Sequence, residues 1–289
     1  MSTKVTDIIL NNKLLIPQLG LGVWQANDGS EVESAVTSAI NAGYRLIDTA
    51  AIYGNETGVG RAIKNSNVAR EELFITTKVW NGDQGYDKTL AAFDHSMKLL
   101  GLEYLDMYLI HWPLPAKALY NETWKAMEEL YNQGRVKAIG VCNFQIPHLQ
   151  DLMAHATIQP AVNQIELHPY FPQTELRKFA KENNIAIESW SPIGGKGGTG
   201  GNSSHDVPLL EQPILTTIGL KYNKTPAQVV IRWHIQNGLI VIPKSVHEDR
   251  IKQNFDVFDF ELTDDDMKAI NGLETGKRGG ANPDTFNFN

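Results

Sequence analysis

The chain holds one cysteine, Cys142, so no disulfide can close within it and a crosslinked framework is excluded. It has no continuous apolar stretch near the roughly 20 residues that cross a bilayer. Met1 to Asp7 carry no apolar core of the secretory kind, and sequons such as Asn121-Glu122-Thr123 are expected to stay unmodified. Basic residues are outnumbered: 26 Lys and Arg stand against 33 Asp and Glu, a net charge of -7. A general nucleic-acid or anionic-membrane surface needs clustered cations, so neither partner is expected, while a local anion pocket is compatible with this balance. The expectation is a soluble cytoplasmic protein.

What is present is ordinary globular material. With 42% hydrophobic and 20% charged residues, the 289-residue chain can bury a sizeable core. Its length fits one α/β barrel or two compact halves. Residues 5–16 read as a hairpin: a run Thr6 to Leu10, the pair Asn11-Asn12 in the turn, and a run Leu14 to Ile16. Short β-rich runs then alternate with amphipathic segments. The runs are Leu19 to Trp24, Tyr44 to Asp48, Leu73 to Val79, Leu105 to His111, Val136 to Cys142, Ala161 to Ile165, Ile185 to Trp190 and Leu239 to Pro243. Helix starts show as a capping box at Ser30 with Glu33, and as Thr225-Pro226-Ala227-Gln228.

Strand and helix repeating at roughly 25 to 32 residues imply parallel neighbours with right-handed crossovers. Eight such units close into a (β/α)8 TIM barrel, an α/β fold that here spans 1–289 as a single domain with the hairpin as its cap. The rival open sheet requires a glycine fingerprint, and Gly20-Leu21-Gly22-Val23-Trp24-Gln25 has Gln where the third glycine belongs. Between the seventh and eighth runs, Gly194, Gly195, Gly197, Gly198, Gly200 and Gly201 crowd one segment. It leaves a strand at the end where barrel sites are built, so residues 191–212 read as a flexible lid.

Three consecutive runs end in ionisable residues: Asp48, Lys78 and His111, with Tyr53 five residues beyond the first. Neighbouring strands lie about 4.8 Å apart, so these groups converge on one rim. The set suits delivery of a proton to a carbonyl oxygen. Tyr53 is the acid, Lys78 stabilises the phenolate left behind, Asp48 holds the ammonium, and His111 orients the carbonyl. Reduction also needs a hydride, and with one cysteine and no flavin signature a nicotinamide is the source.

The chain resembles the aldo-keto reductases through Leu19 to Trp24, Asp48-Thr49-Ala50 with Tyr53, Thr77-Lys78, His111-Trp112-Pro113, Gly140-Val141-Cys142-Asn143-Phe144, Asn163-Gln164-Ile165-Glu166 and Ile242-Pro243-Lys244-Ser245. The likeness covers about Ile8 to Leu273. It is strongest to the bacterial 2,5-diketo-D-gluconate reductase branch, with methylglyoxal reductases alongside, through Glu188-Ser189-Trp190-Ser191-Pro192 and Asn254-Phe255-Asp256-Val257. The resemblance implies a metal-free, NADPH-dependent monomer with the tetrad in the roles above. Asn143 and Gln164 would bind the nicotinamide carboxamide and Trp190 would stack on the ring. Ser191, Pro192, Ile193 and Gly195 would lie along the pyrophosphate. Lys244, Ser245 and Arg250 would clamp the 2'-phosphate, with Val246 also against the cofactor and Asn254 near the adenine. Many members have Ser where this chain has Cys142, and a thiol is the weaker partner; Gln253 replaces a frequent Glu.

By the same resemblance Trp24, Tyr53, His111 and Trp112 would line the substrate mouth, helped by the tail 273–289. Small aldehydes, ketoaldehydes or keto sugars would enter, 2,5-diketo-D-gluconate and methylglyoxal among them. Two other readings stand beside this one. A non-catalytic NADPH-sensing module could share the barrel, against which the intact tetrad speaks. A metal-dependent hydrolase would use His111, His168 and Asp48 as ligands, but Lys78 in their midst would repel a divalent cation.

Overall fold

The computed structural model describes residues 5–195 and 207–288. Strands β1 (Asp7–Ile9) and β2 (Leu15–Pro17) pair antiparallel as a hairpin. The strands β3 (Gly20–Gly22), β4 (Leu46–Asp48), β5 (Phe74–Val79), β6 (Leu105–Ile110), β7 (Val136–Cys142), β8 (Val162–Glu166), β9 (Ala186–Trp190) and β10 (Ile240–Val241) follow as one parallel sheet in sequence order. Parallel bridges from Leu19 to Val241 and from Gly22 to Lys244 join its two ends, so the sheet closes into the expected barrel. That seam needs glycine: a Cβ on Gly22 would lie 2.9 Å from the Ile242 carbonyl oxygen.

Helices α1 (Ser30–Ala42), α2 (Glu56–Lys64), α3 (Tyr86–Leu100), α4 (Tyr120–Asn132), α5 (Ile146–His155), α6 (Thr174–Glu182), α7 (Pro213–Tyr222), α8 (Pro226–Gln236), α9 (Glu248–Phe255) and α10 (Asp264–Asn271) complete the order. Their buried faces form an outer core with the outward strand residues, such as Ile75, Tyr108 and Ile139. The inward residues form a second core. Strand alternation sends every second side chain inward, and along that face the chemistry changes from one end to the other. Phe74, Thr76, Lys78 succeed one another on β5; Val162, Gln164, Glu166 on β8; Ala186, Glu188, Trp190 on β9. The lower barrel is filled with hydrocarbon and the upper end with polar groups.

The hairpin plugs the hydrocarbon end, where Ile16 and Leu10 are buried among Leu46, Phe74 and Met107. Asn11 Nδ2 donates to the Pro160 carbonyl at 2.9 Å and Asn12 Nδ2 to that of Lys137 at 2.8 Å, tying the turn to the strand starts. The positive φ of this turn falls on Lys13, at 69°. The asparagine amides are taken up by the barrel, and Asn12 Oδ1 accepts from the Leu14 N–H.

The Thr225 capping box forms, with Gln228 returning to the Thr225 N–H at 2.9 Å. The one read at Ser30 does not. Gly29, at φ 88°, is the N-cap of α1 and has no side chain to bond, so Ser30 becomes the first helical residue and Glu33 pairs with Arg61 at 2.7 Å. Of the lid segment, 196–206 lie outside the described residues, Gly197, Gly198, Gly200 and Gly201 among them. Ser191 to Gly195 leave β9 at the polar end, and Val207 returns with its carbonyl 2.7 Å from Tyr170 Oη.

Candidate functional site

The polar end opens into a cavity of about 430 Å³. Asp48 ends β4, Lys78 lies one inward step above Thr76 on β5, and His111 follows β6, so barrel closure brings the three rim positions together. Tyr53 closes a single 3-10 turn, Ala51–Tyr53, above β4. Lys78, 0% exposed, donates to Asp48 Oδ1 at 2.6 Å and to the Thr49 carbonyl at 2.9 Å, and its Nζ lies 3.4 Å from Tyr53 Oη. The rings of Tyr53 and Trp80 both meet His111 edge-on, with centroids 5.7 and 5.2 Å away.

Burial works against the Lys78 charge, but Asp48 and then Tyr53 outweigh it and its pKa is raised. Burial pushes the Tyr53 phenol up to about 12, with Lys78 opposing. Tyr53 therefore keeps its proton at neutral pH. His111 lies well below its ordinary value, first because it is buried and then because Lys78 faces it. Its ring is neutral, and its Nδ1 is buried without a partner among the described residues. An unpaired lone pair inside costs less than an unpaired N–H, which leaves the proton on Nε2.

Beside the tetrad the amides are heavily engaged. Asn143 sits at φ 64°, donates from Nδ2 to the His111 carbonyl at 2.9 Å and accepts from Trp190 Nε1 at 2.9 Å. Gln164 Nε2 donates to Asp48 Oδ2 and to Glu188 Oε2, each at 2.9 Å. A ligand carboxamide would find one N–H of Asn143 and the two amide oxygens. Cys142 is wholly buried, and burial pushes its thiol up. Trp190, Ser191, Pro192, Ile193 and Gly195 line the same cavity, as do Trp24 and Trp112 at its mouth.

Lys244 lines the cavity's outer end, with Nζ 3.4 Å from the Gln25 carbonyl. Ser245, Val246, Arg250 and Asn254 lie beyond the lining, toward and along α9. Ser245 Oγ accepts from the His247 N–H at 3.1 Å, ordering the turn into that helix. Among the described residues neither Lys244 nor Arg250 makes an ion pair, whereas Glu248 on the same helix is matched by Lys252 at 2.6 Å. Two unmatched cations beside a helix N-terminus favour an anion.

Sequence reasoning missed Trp80, Phe286, Glu166 and Glu188. Trp80 and Glu188 were within reach of strand alternation, being two residues from Lys78 and from Trp190. The tail carried no such signal. Gly279 and Gly280 donate to the two oxygens of buried Glu166, at 2.6 and 3.0 Å, beside His168 at 3.0 Å. Burial works to raise the Glu166 pKa, but His168 and the two amides outweigh it and hold the carboxyl below its ordinary value. His168, read above as a metal-ligand alternative, is thus part of a latch on the tail. A Cβ on Gly280 would stand 2.5 Å from the Trp190 ring. Farther on, Phe286 lies on Trp112 with centroids 4.1 Å apart, and Asn81 Nδ2 donates to the Phe288 carbonyl at 2.7 Å.

Glu166→Gln removes the charge from this latch and one of its two acceptors. It should raise KM for carbonyl substrates about tenfold with kcat nearly unchanged. Amide hydrogen exchange over 279–288 checks it, since exchange as slow as in the wild type would show that the carboxylate does not hold the tail.

The chain matches the model of the aldo/keto reductase family over residues 18–275. A 9,11-endoperoxide prostaglandin H2 reductase of Trypanosoma cruzi is 53% identical over 286 residues, covering 99% of this chain and 98% of that protein. A glyoxal reductase of Bacillus subtilis is 50% identical over 289 residues and is covered, like this chain, in full. A crystal structure of a Gox0644 variant in complex with NADPH is 46% identical with a TM-score of 0.90, over 99% of this chain and 100% of that one.

Proposed function

The chain belongs to the aldo/keto reductase family, and from that premise we propose that it reduces small aldehydes, ketoaldehydes and keto sugars to alcohols with NADPH. The observation that carries the reading is the buried Lys78 ammonium, 2.6 Å from Asp48 and 3.4 Å from Tyr53 Oη, behind the wall of an aromatic-lined cavity.

The donor set fits the cofactor: amides of Asn143 and Gln164 for its carboxamide, the Trp190 ring for stacking, Ser191 to Gly195 along the pyrophosphate, and Lys244, Ser245 and Arg250 for a phosphate, with Val246 and Asn254 beyond. When bound, NADPH supplies a hydride to the carbonyl carbon. The protein's part is the proton. His111 Nε2–H and Tyr53 O–H hold the carbonyl oxygen, and as negative charge grows there Tyr53 gives up its proton. Lys78 stabilises the phenolate and Asp48 keeps Lys78 in place. One carbonyl, one NADPH and one proton yield one alcohol and one NADP+, and solvent returns the proton to Tyr53.

Trp24, Trp112 and Phe286 suit a compact substrate, and the glyoxal reductase relative puts 2-oxoaldehydes such as methylglyoxal first, with 2,5-diketo-D-gluconate a further candidate. The protein is read as a cytoplasmic monomer without nucleic-acid or membrane partners; no helix among the described residues is long and apolar enough to cross a membrane. Loss of NADPH absorbance with glyoxal, methylglyoxal and 2,5-diketo-D-gluconate is the test. A protein that binds NADPH and reduces no carbonyl would be a cofactor sensor instead. Lys244→Ala should raise KM for NADPH about tenfold or more and leave that for NADH unchanged, since a charge-assisted phosphate contact is lost from only one of them. Equal effects on both cofactors would remove Lys244 from the phosphate site.

A further inference from the structure

Below the cavity floor lies a carboxyl that none of these roles uses. Glu188 faces the barrel interior from β9, in register with Gln164 of β8, and is 1% exposed. Its Oε2 accepts from Gln164 Nε2 at 2.9 Å, and the same nitrogen donates to Asp48 Oδ2 at 2.9 Å. Its Oε1 is buried with no hydrogen-bond partner among the described residues. Asp48 in turn grips Lys78, which lies against Tyr53. Glu188, Gln164, Asp48, Lys78 and Tyr53 thus form one polar chain across the barrel.

Two carboxyls bridged by one amide in a dry interior do not both ionise easily. Asp48 has an ammonium at 2.6 Å and Glu188 has no ion pair with a cation among the described residues, so the proton resides on Glu188. The groups that face Glu188 are Asp48 from β4, Lys78 from β5, Cys142 from β7 and Gln164 from β8; its register neighbour on β10, Ile240, adds no charge. Burial, and after it the Asp48 charge, push the Glu188 carboxyl up to about 8, with Gln164 and Lys78 opposing.

We propose that Glu188 is a positioning residue for the Tyr53 proton transfer, steadying Asp48 and Lys78 through Gln164 as a neutral acid, and that losing its proton slows reduction. The sign follows from charge. An anion at Glu188 cancels part of the Lys78 field, so Tyr53 holds its proton more tightly and becomes the weaker acid. The inference rests on the carbonyl-reductase reading above.

The test is the pH profile of kcat for methylglyoxal at saturating NADPH. For the wild type, kcat should fall about fivefold between about pH 6 and pH 10 and then level. The midpoint of that fall is expected near 8, and Glu188→Gln should lack it. The variant keeping the wild-type midpoint would overturn the assignment of Glu188 alone, whereas a wild type that reduces nothing would overturn the reductase reading with it. Thermal unfolding gives a readout apart from activity. The folded carboxyl keeps its proton to about 8 and an unfolded one loses it near 4.5, so wild type should lose stability relative to Glu188→Gln as pH rises across that window. A difference that does not change with pH would count against the proposal. Should the Gln variant fail to fold, Glu188→Asp is read instead, one methylene short of the Gln164 amide. A shifted kcat midpoint supports the proposal and an unshifted one overturns it.

Discussion

Tyr53→Phe should lower kcat for carbonyl reduction by about 10³-fold and leave NADPH binding intact, because it removes one oxygen and little else. The ring remains edge-on to His111 at 5.7 Å, and Lys78 keeps Asp48 and the Thr49 carbonyl after losing its neighbour at 3.4 Å. The other group that holds the carbonyl oxygen cannot take over the proton. His111 is neutral, held well below its ordinary value first by burial and then by the Lys78 charge, so it has no imidazolium proton to give near pH 7. Single-turnover absorbance of NADPH with methylglyoxal, alongside a fluorescence titration of the cofactor, separates chemistry from binding. A variant that retains a tenth of wild-type turnover would move the acid elsewhere.

Lys78→Met should cost both turnover and stability, and the two losses have different origins. Without the ammonium, the phenolate that Tyr53 must become has no counter-charge, and kcat should fall by about 10² to 10⁴. The fold suffers because Asp48, 2% exposed, would keep its burial and lose its cation. Breaking a buried pair from one side costs about 3 to 5 kcal/mol, less whatever protonation of Asp48 recovers. Burial already pushes the Asp48 carboxyl up against the opposing Lys78 charge, and without Lys78 it rises further. The variant's stability should therefore decline as pH rises through that raised pKa, where the folded state must surrender the proton that neutralises it. Adding Asp48→Asn removes the stranded charge, so the double variant should regain about half of the lost stability and none of the activity. Urea unfolding near pH 7 decides the point: a double variant no more stable than Lys78→Met would mean that Asp48 is not the source of the loss.

Much of the barrel was legible from local pattern. Eight short runs with strand periodicity located β3 to β10 within a few residues, because alternation and turn chemistry act over neighbours in the chain. The rim positions Asp48, Lys78 and His111 were legible for the same reason, each ending an apolar run. Local signals were incomplete at caps and turns. Ser30 looked like a cap, but α1 is capped one residue earlier at Gly29; Asn11 and Asn12 do form the turn, but their amides go to the distant Pro160 and Lys137 carbonyls. Glu188 was visible to alternation as an inward position, but nothing local said that its neighbour would be bridged to Asp48.

Sequence by itself therefore determined the repeating unit, the inward face of each strand and the end of the barrel where polar groups gather, since all three follow from backbone periodicity. Only the closed tertiary structure decided which of those groups meet. Gln164 bonds Asp48 across 116 positions of chain and Gly279 bonds Glu166 across 113. Contacts of that span arise from the curvature that seals β3 to β10 and from the tail's path over the polar rim, and no periodicity within either partner encodes them.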